Sequence, residues 1–125
     1  MTVRFDQSEH DKLLLLSLKR LKEDGFNNIK AECKEYEKPE LLYSKEFNSG
    51  FSPDIFAEKD KDKYIIEVET EDSIFTETTE KQWKTFSENA VYYNHKFVVI
   101  VKKALEDEAK RQKEYLKVEP DIWTI

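Results

Sequence analysis

Residues 53–70, PDIFAEKDKDKYIIEVET, constrain the fold more tightly than any other part of the chain. Two short runs, residues 54–58 and 63–70, flank the charged tip 59–62, and in the second run Tyr64, Ile66 and Val68 alternate with Ile65, Glu67 and Glu69. A period of two marks a strand, and two such runs joined by so short a polar connection read as an antiparallel hairpin. An even loop centred on Asp60 and Lys61, of two or four residues, pairs Ile55 with Ile66, Phe56 with Ile65 and Glu58 with Lys63, all sensible cross-strand partners. The same register sets Asp54 opposite Glu67, and Glu69 follows on that face about 7 Å farther along at roughly 3.3 Å per residue. One face of the hairpin is then expected to be core and the other to carry acid.

Like charges directly opposite each other destabilise a sheet. A hard divalent cation, Mg²⁺ or Mn²⁺, resolves the repulsion by taking carboxylate oxygens from both strands, a backbone carbonyl between them, and waters in the remaining positions. Such an ion can turn one of its waters into a nucleophile and neutralise charge on a phosphate. The plainer alternative is an acidic strand face left in solvent and neutralised by Lys59, Lys61, Lys63 and Lys84. An odd-sized loop would break the register altogether.

Around the hairpin the chain alternates helical and extended patterns. Ser8 is placed to cap a helix with Asp11 at its third position, and Leu14, Leu18 and Leu21 repeat at helical spacing, with Leu13, Leu15 and Leu16 widening the stripe up to a stop at Gly25. Residues 29–36 read as a strand and 41–47 as a strand or loop around Pro39. Thr79-Glu80-Lys81-Gln82 has the form of a capping box, followed by Trp83, Phe86 and Ala90 on one stripe. The continuous apolar run 96–101, KFVVIV, fits a strand buried on both faces. Residues 104–116 read as a charged surface helix and 121–125 as a short final strand. Helix, three strands, helix, strand, helix, strand predicts an α/β fold with a mixed central sheet flanked by helices. At 125 residues it is expected to be a single domain spanning 1–125.

Several chemistries are excluded by what the chain lacks. Its only glycines are Gly25 and Gly50, so a phosphate-cradling loop, a dinucleotide fingerprint and a nucleophile elbow are absent. Cys33 is the sole cysteine, which rules out an internal disulfide or a cysteine-rich zinc site and suits a reducing, cytoplasmic setting. No apolar run is long enough to cross a membrane and no signal peptide is visible. His10 and His95 lack a partner motif and read as surface or turn residues. A net charge of −6, with 18 lysines against three arginines, argues against a broad basic coating surface, yet 16 aromatics suffice for a compact interior.

Pro53-Asp54, then Glu67-Val68-Glu69 thirteen positions on, then a helix carrying Gln82, resemble the PD-(D/E)XK, restriction-endonuclease-like nucleases. The likeness spans nearly the whole chain and implies their αβββαβ core. By that resemblance Asp54 and Glu67 would be metal ligands and catalytic residues, with the carbonyl of Val68 completing the protein ligands for Mg²⁺ or Mn²⁺. Glu9 resembles a glutamate that some members add to the metal shell, and Gln82 resembles a glutamine on the following helix in several branches. The departure is Glu69, which occupies the position of the family's lysine. A glutamate there serves some active restriction enzymes as ligand or base; otherwise a lysine reaches in from the next helix, Lys84 or Lys81, or catalysis has been lost.

The resemblance implies a metal-dependent nuclease, an endo- or exonuclease hydrolysing phosphodiester bonds in nucleic acid, DNA foremost, with no membrane partner. The alternative is a catalytically inactive domain of the same fold that binds nucleic acid or protein, and a chain of this size also admits a homodimer. Pro120-Asp121-Ile122 echoes Pro53-Asp54-Ile55, but too few residues follow for a partner strand, so it reads as a strand start.

Overall fold

A computed structural model describes residues 7–125. Over that range the elements are α1 (Gln7–Glu23), β1 (Asn27–Ala31), β2 (Leu42–Ser44), β3 (Ser49–Phe51), β4 (Ile55–Lys59), β5 (Asp62–Val68), α2 (Glu77–Tyr93), β6 (Lys96–Val101), a 3₁₀ turn (Lys103–Leu105), α3 (Glu106–Leu116) and β7 (Asp121–Thr124). The main sheet runs β1-β4-β5-β6-β7, while β2 and β3 form a separate hairpin. Strands β1, β4 and β5 are antiparallel neighbours, and β6 and β7 continue parallel to β5, so the sheet is mixed and flanked by helices.

The β4–β5 register follows the alternation in the sequence: Ile55 pairs with Ile66, Phe56 with Ile65, Glu58 with Lys63, and Lys59 with Asp62. The loop is therefore the two residues Asp60 and Lys61, with Asp60 in the left-handed region at φ 57°. Period two then sends Ile66 and Val68 to one face and Ile65, Glu67 and Glu69 to the other. Both faces are covered. On the first, Ile55, Ala57, Ile66, Val68, Val98 and Ile100 pack under Leu13, Leu14, Leu18 and Leu21 of α1. On the second, Ile65, Phe97, Val99 and Val101 pack under Trp83, Phe86 and Ala90 of α2 and Ala109 and Leu116 of α3. The alternative of an acidic strand face left in solvent is thus corrected: Glu67 is 1% and Glu69 0% exposed, with Trp83 of α2 donating to Glu69. The strand β6 is apolar from Phe97 to Val101, since it sits between β5 and β7 with helices above and below; only Lys96 at its start is exposed.

Helix boundaries have local causes. Gln7 is already helical, so Ser8 lies inside α1 rather than at its cap, and Leu15 and Leu16 turn to solvent because they fall off the His10–Leu13–Leu14–Ser17–Leu18–Leu21 stripe. The helix ends as the sequence anticipates: Gly25 at φ +90° lets its own N–H reach Lys22 O and that of Phe26 reach Leu21 O, closing the last turn. α2 starts one turn before the expected box. Thr76, in extended conformation, is the N-cap, its hydroxyl accepting from the Thr79 amide at 3.2 Å, while the Thr79 hydroxyl donates to Ser73 O. The strand expected over 29–36 ends at Ala31, where the chain turns back and Ala31 N donates to Glu37 O. The segment 41–47 contributes β2 and the turn into β3, with Asn48 at φ 48°.

Candidate functional site

Asp54 stands just before β4 and Glu67 just before the end of β5, where the next rung of the ladder would fall. Side chains make that rung instead. The Asp54 amide donates to Glu67 Oε1 at 2.8 Å, and the Val68 amide donates to Asp54 Oδ2 at 2.8 Å. Each carboxylate is thus held by an N–H from the opposite strand, and such charge-assisted bonds are stronger than neutral ones. The Asp54 carbonyl also accepts from Glu32 N at 3.0 Å, which ties the pair to the end of β1. Asp54 keeps 8% of its surface and Glu67 1%.

His10 approaches the pair from α1, its Nε2 3.3 Å from Asp54 Oδ2. At 3% exposure it is a buried residue of the site, which corrects the expectation of a surface or turn histidine. The spacing carried the signal: His10 precedes Leu13 and Leu14 by three and four positions and so shares the helix's buried stripe.

Glu69 is engaged differently. Its Oε1 accepts from Ser73 Oγ at 2.7 Å and its Oε2 from Trp83 Nε1 at 2.9 Å, with all three residues fully buried. Ser73 Oγ in turn accepts from the Thr70 amide at 3.0 Å, so the carboxylate knots the turn after β5 to the middle of α2. Trp83 was readable as core, but its indole N–H as the partner of Glu69 was not.

The remaining expected residues lie around this centre. Glu9 forms an ion pair with Lys102, at 3.0 Å, and both line a cleft of about 860 Å³ that also reaches Leu13, Glu69, Asp72 and Phe75. Lys102, at the end of β6, was not singled out in the sequence; nothing in its local pattern marks it. Lys84 is half-buried on α2, and among the described residues no ion pair links it to Asp54, Glu67 or Glu69. Lys81 pairs instead with Glu77 at 3.7 Å and lies over the Phe47 ring. Gln82 is half-buried with its Oε1 enclosed and accepting no hydrogen bond among the described residues. Val68 contributes its amide to Asp54 while its side chain fills the α1-side core.

Two carboxylates fixed side by side fit a hard cation that takes one or two protein carboxylates and completes its shell with water or phosphate oxygens. Among the described residues no group of three or more His, Cys, Asp or Glu side chains is arranged to hold an ion by itself. No described helix is long and apolar enough to cross a membrane. Comparison with protein-family models, with curated proteins and with solved structures found no match to this chain.

Proposed function

We propose that this chain is a divalent-metal-dependent phosphodiesterase of the restriction-endonuclease-like type, acting on nucleic acid, DNA foremost. The observation that carries the reading is the reciprocal clasp of Asp54 and Glu67 at the open end of the β4–β5 hairpin. The order of elements supports it: α1, then the antiparallel strands β1, β4 and β5, then the crossover α2 and the parallel strand β6 follow the helix, meander, helix, strand of that core. Asp54 and Glu67, with the carbonyl of Val68, would hold Mg²⁺ or Mn²⁺. The ion, when bound, supplies an activated water and neutralises charge on the scissile phosphate.

The chain's own groups prepare that chemistry. Backbone amides fix both carboxylates, and His10 presses on Asp54 from the α1 side, so neither acid must reorganise to act. Lys102, paired with Glu9, puts a cation on the cleft that Glu69 also lines. Glu69, with both oxygens accepting from buried donors, serves this arrangement by positioning the turn and α2 rather than as a base.

The same commitment of Glu69 favours a second reading, a domain of this fold that binds nucleic acid or protein without cleaving it. Cleavage of labelled DNA and RNA with Mg²⁺ or Mn²⁺ by the wild-type protein, Asp54→Ala and Glu67→Ala separates the two. Cleavage lost in both variants supports the phosphodiesterase. Absence of cleavage, or cleavage that survives both substitutions, sinks it in favour of the binding domain.

A further inference from the structure

A second cavity, of about 710 Å³, opens at the C-terminal end of α2, beneath the β2–β3 hairpin. Its wall is a chain of rings. Tyr92 meets Tyr93 edge-on with centroids 4.8 Å apart, Tyr93 stacks on His95 at 5.7 Å and 26°, and His95 meets Phe56 edge-on at 5.8 Å. Phe56, in β4, lies two residues beyond Asp54, about 7 Å along at the usual rise of extended chain, and Pro53 lines the cavity too. The rings therefore form a path that starts in solvent, where Tyr92 is 80% exposed, and ends at Phe56, close to Asp54 in the chain. Lys30, Lys45 and Lys63 stand around it, offset by Glu40, Glu58 and Glu88.

We propose that this cavity is the seat of a single-stranded segment of nucleic acid, whose bases stack on Tyr92, Tyr93 and His95 while the lysines meet its backbone. The proposal rests on the reading of the chain as acting on nucleic acid and names the substrate form. Stacking is indifferent to base identity, because every base presents a π-face, and single strands expose those faces where duplexes hide them. Burial holds His95 below its ordinary value, so at neutral pH it offers an uncharged ring. Since the lysines are matched by glutamates, stacking supplies most of the affinity, and binding falls only shallowly with salt compared with a basic groove. The conformation needs no help from a partner: Asn89, beneath the rings on α2, donates to Tyr43 O at 3.1 Å and to Thr85 O at 2.8 Å, pinning the β2–β3 hairpin over the helix.

The test is fluorescence anisotropy with labelled single-stranded DNA and RNA and with the matching duplex, in chelator, so that binding is read without cleavage. The full chain is expected to prefer single strands. Tyr92→Ala is expected to weaken that binding about tenfold, within the range that stacking on one aromatic supports. Tyr92→Phe retains it, and Tyr115→Ala, a comparably exposed tyrosine on α3, leaves it unchanged. Tyr92 is far enough into solvent that its loss spares Trp83, Phe86 and Ala90, which circular dichroism of the variant would verify. Because binding is read in chelator, loss of this site in Tyr92→Ala is read separately from loss of cleavage in Asp54→Ala. Equal affinity for duplex, indifference to Tyr92→Ala, or a self-associated protein that Tyr92→Ala dissociates would each overturn the proposal, the last by giving the rings to a second copy of the chain.

Discussion

Replacing Glu69 by alanine tests whether this acid is architecture or chemistry. The substitution removes both acceptors at once. Ser73 has an alternative, because Thr70 O lies 3.3 Å from its hydroxyl, whereas the Trp83 indole loses the acceptor that Glu69 Oε2 provides at 2.9 Å. Stranding one buried donor costs about 1–3 kcal/mol. Losing the one buried methylene, Cγ, adds about 0.8 kcal/mol. The sum, about 2–4 kcal/mol, is a large share of the roughly 5–15 kcal/mol that holds a domain together. Glu69→Gln keeps the carbon skeleton and an oxygen for Trp83, and turns its amide toward Ser73 Oγ, which has a lone pair to offer; the expected loss is about 1 kcal/mol. Urea unfolding followed by circular dichroism, with m-values compared between variants, measures both. A loss below about 0.5 kcal/mol in Glu69→Ala, or a gain, would refute the reasoning: the buried charge would then be carried at a net cost, and Glu69 would return as a candidate for catalysis.

Other outcomes follow from the same geometry. His10→Ala empties a buried place on the α1 stripe beside Asp54 and should cost about 2–3 kcal/mol in urea unfolding; a neutral result would contradict the burial assigned to it. Lys102→Ala breaks an exposed ion pair and should change stability by less than about 0.5 kcal/mol, yet slow cleavage if the lysine meets phosphate; unchanged kcat/KM would remove it from the site. Gly25→Ala has room, its Cβ meeting only Lys59 Cε at 4.0 Å, but at φ +90° it should lower stability by about 1–2 kcal/mol, visible as a reduced Tm. Burial, aided by the Lys63 charge, keeps His95 below its ordinary 6.5. Because the unfolded chain then takes the proton first as pH falls, the contribution of His95 is fully present above about pH 6.5 and declines below it; an NMR titration placing His95 at or above 6.5 would reverse that sign.

The strand period fixed much of the candidate site before any packing was known. Alternation over residues 63–68 and a two-residue loop suffice to set Asp54 against Glu67, because strand register is a local property of hairpin and turn. The stripes of α1 and α2, the Gly25 stop and the doubly buried β6 were legible for the same reason. Element ends were less so. Thr76 rather than Thr79 caps α2 because Ser73 O already engages the Thr79 hydroxyl, a contact six residues back in a turn that has no period. The segment 41–51 resolved into a hairpin of its own because Asn89 of α2 reaches Tyr43, and no pattern within the segment encodes a partner so distant in sequence.

What the sequence determines by itself, then, is periodicity: which residues form strands and helices, and which side chains share a face. What only the tertiary structure decides is what each face meets. Glu67 and Glu69 share a face by period two, but α2 covers that face, and its indole N–H turns Glu69 into a buried structural acceptor while Glu67 remains clasped to Asp54. His10 joins the pair only because α1 packs on the opposite side of the same strands. Period is written in neighbouring residues, whereas the partner of a buried polar atom depends on how separate elements dock.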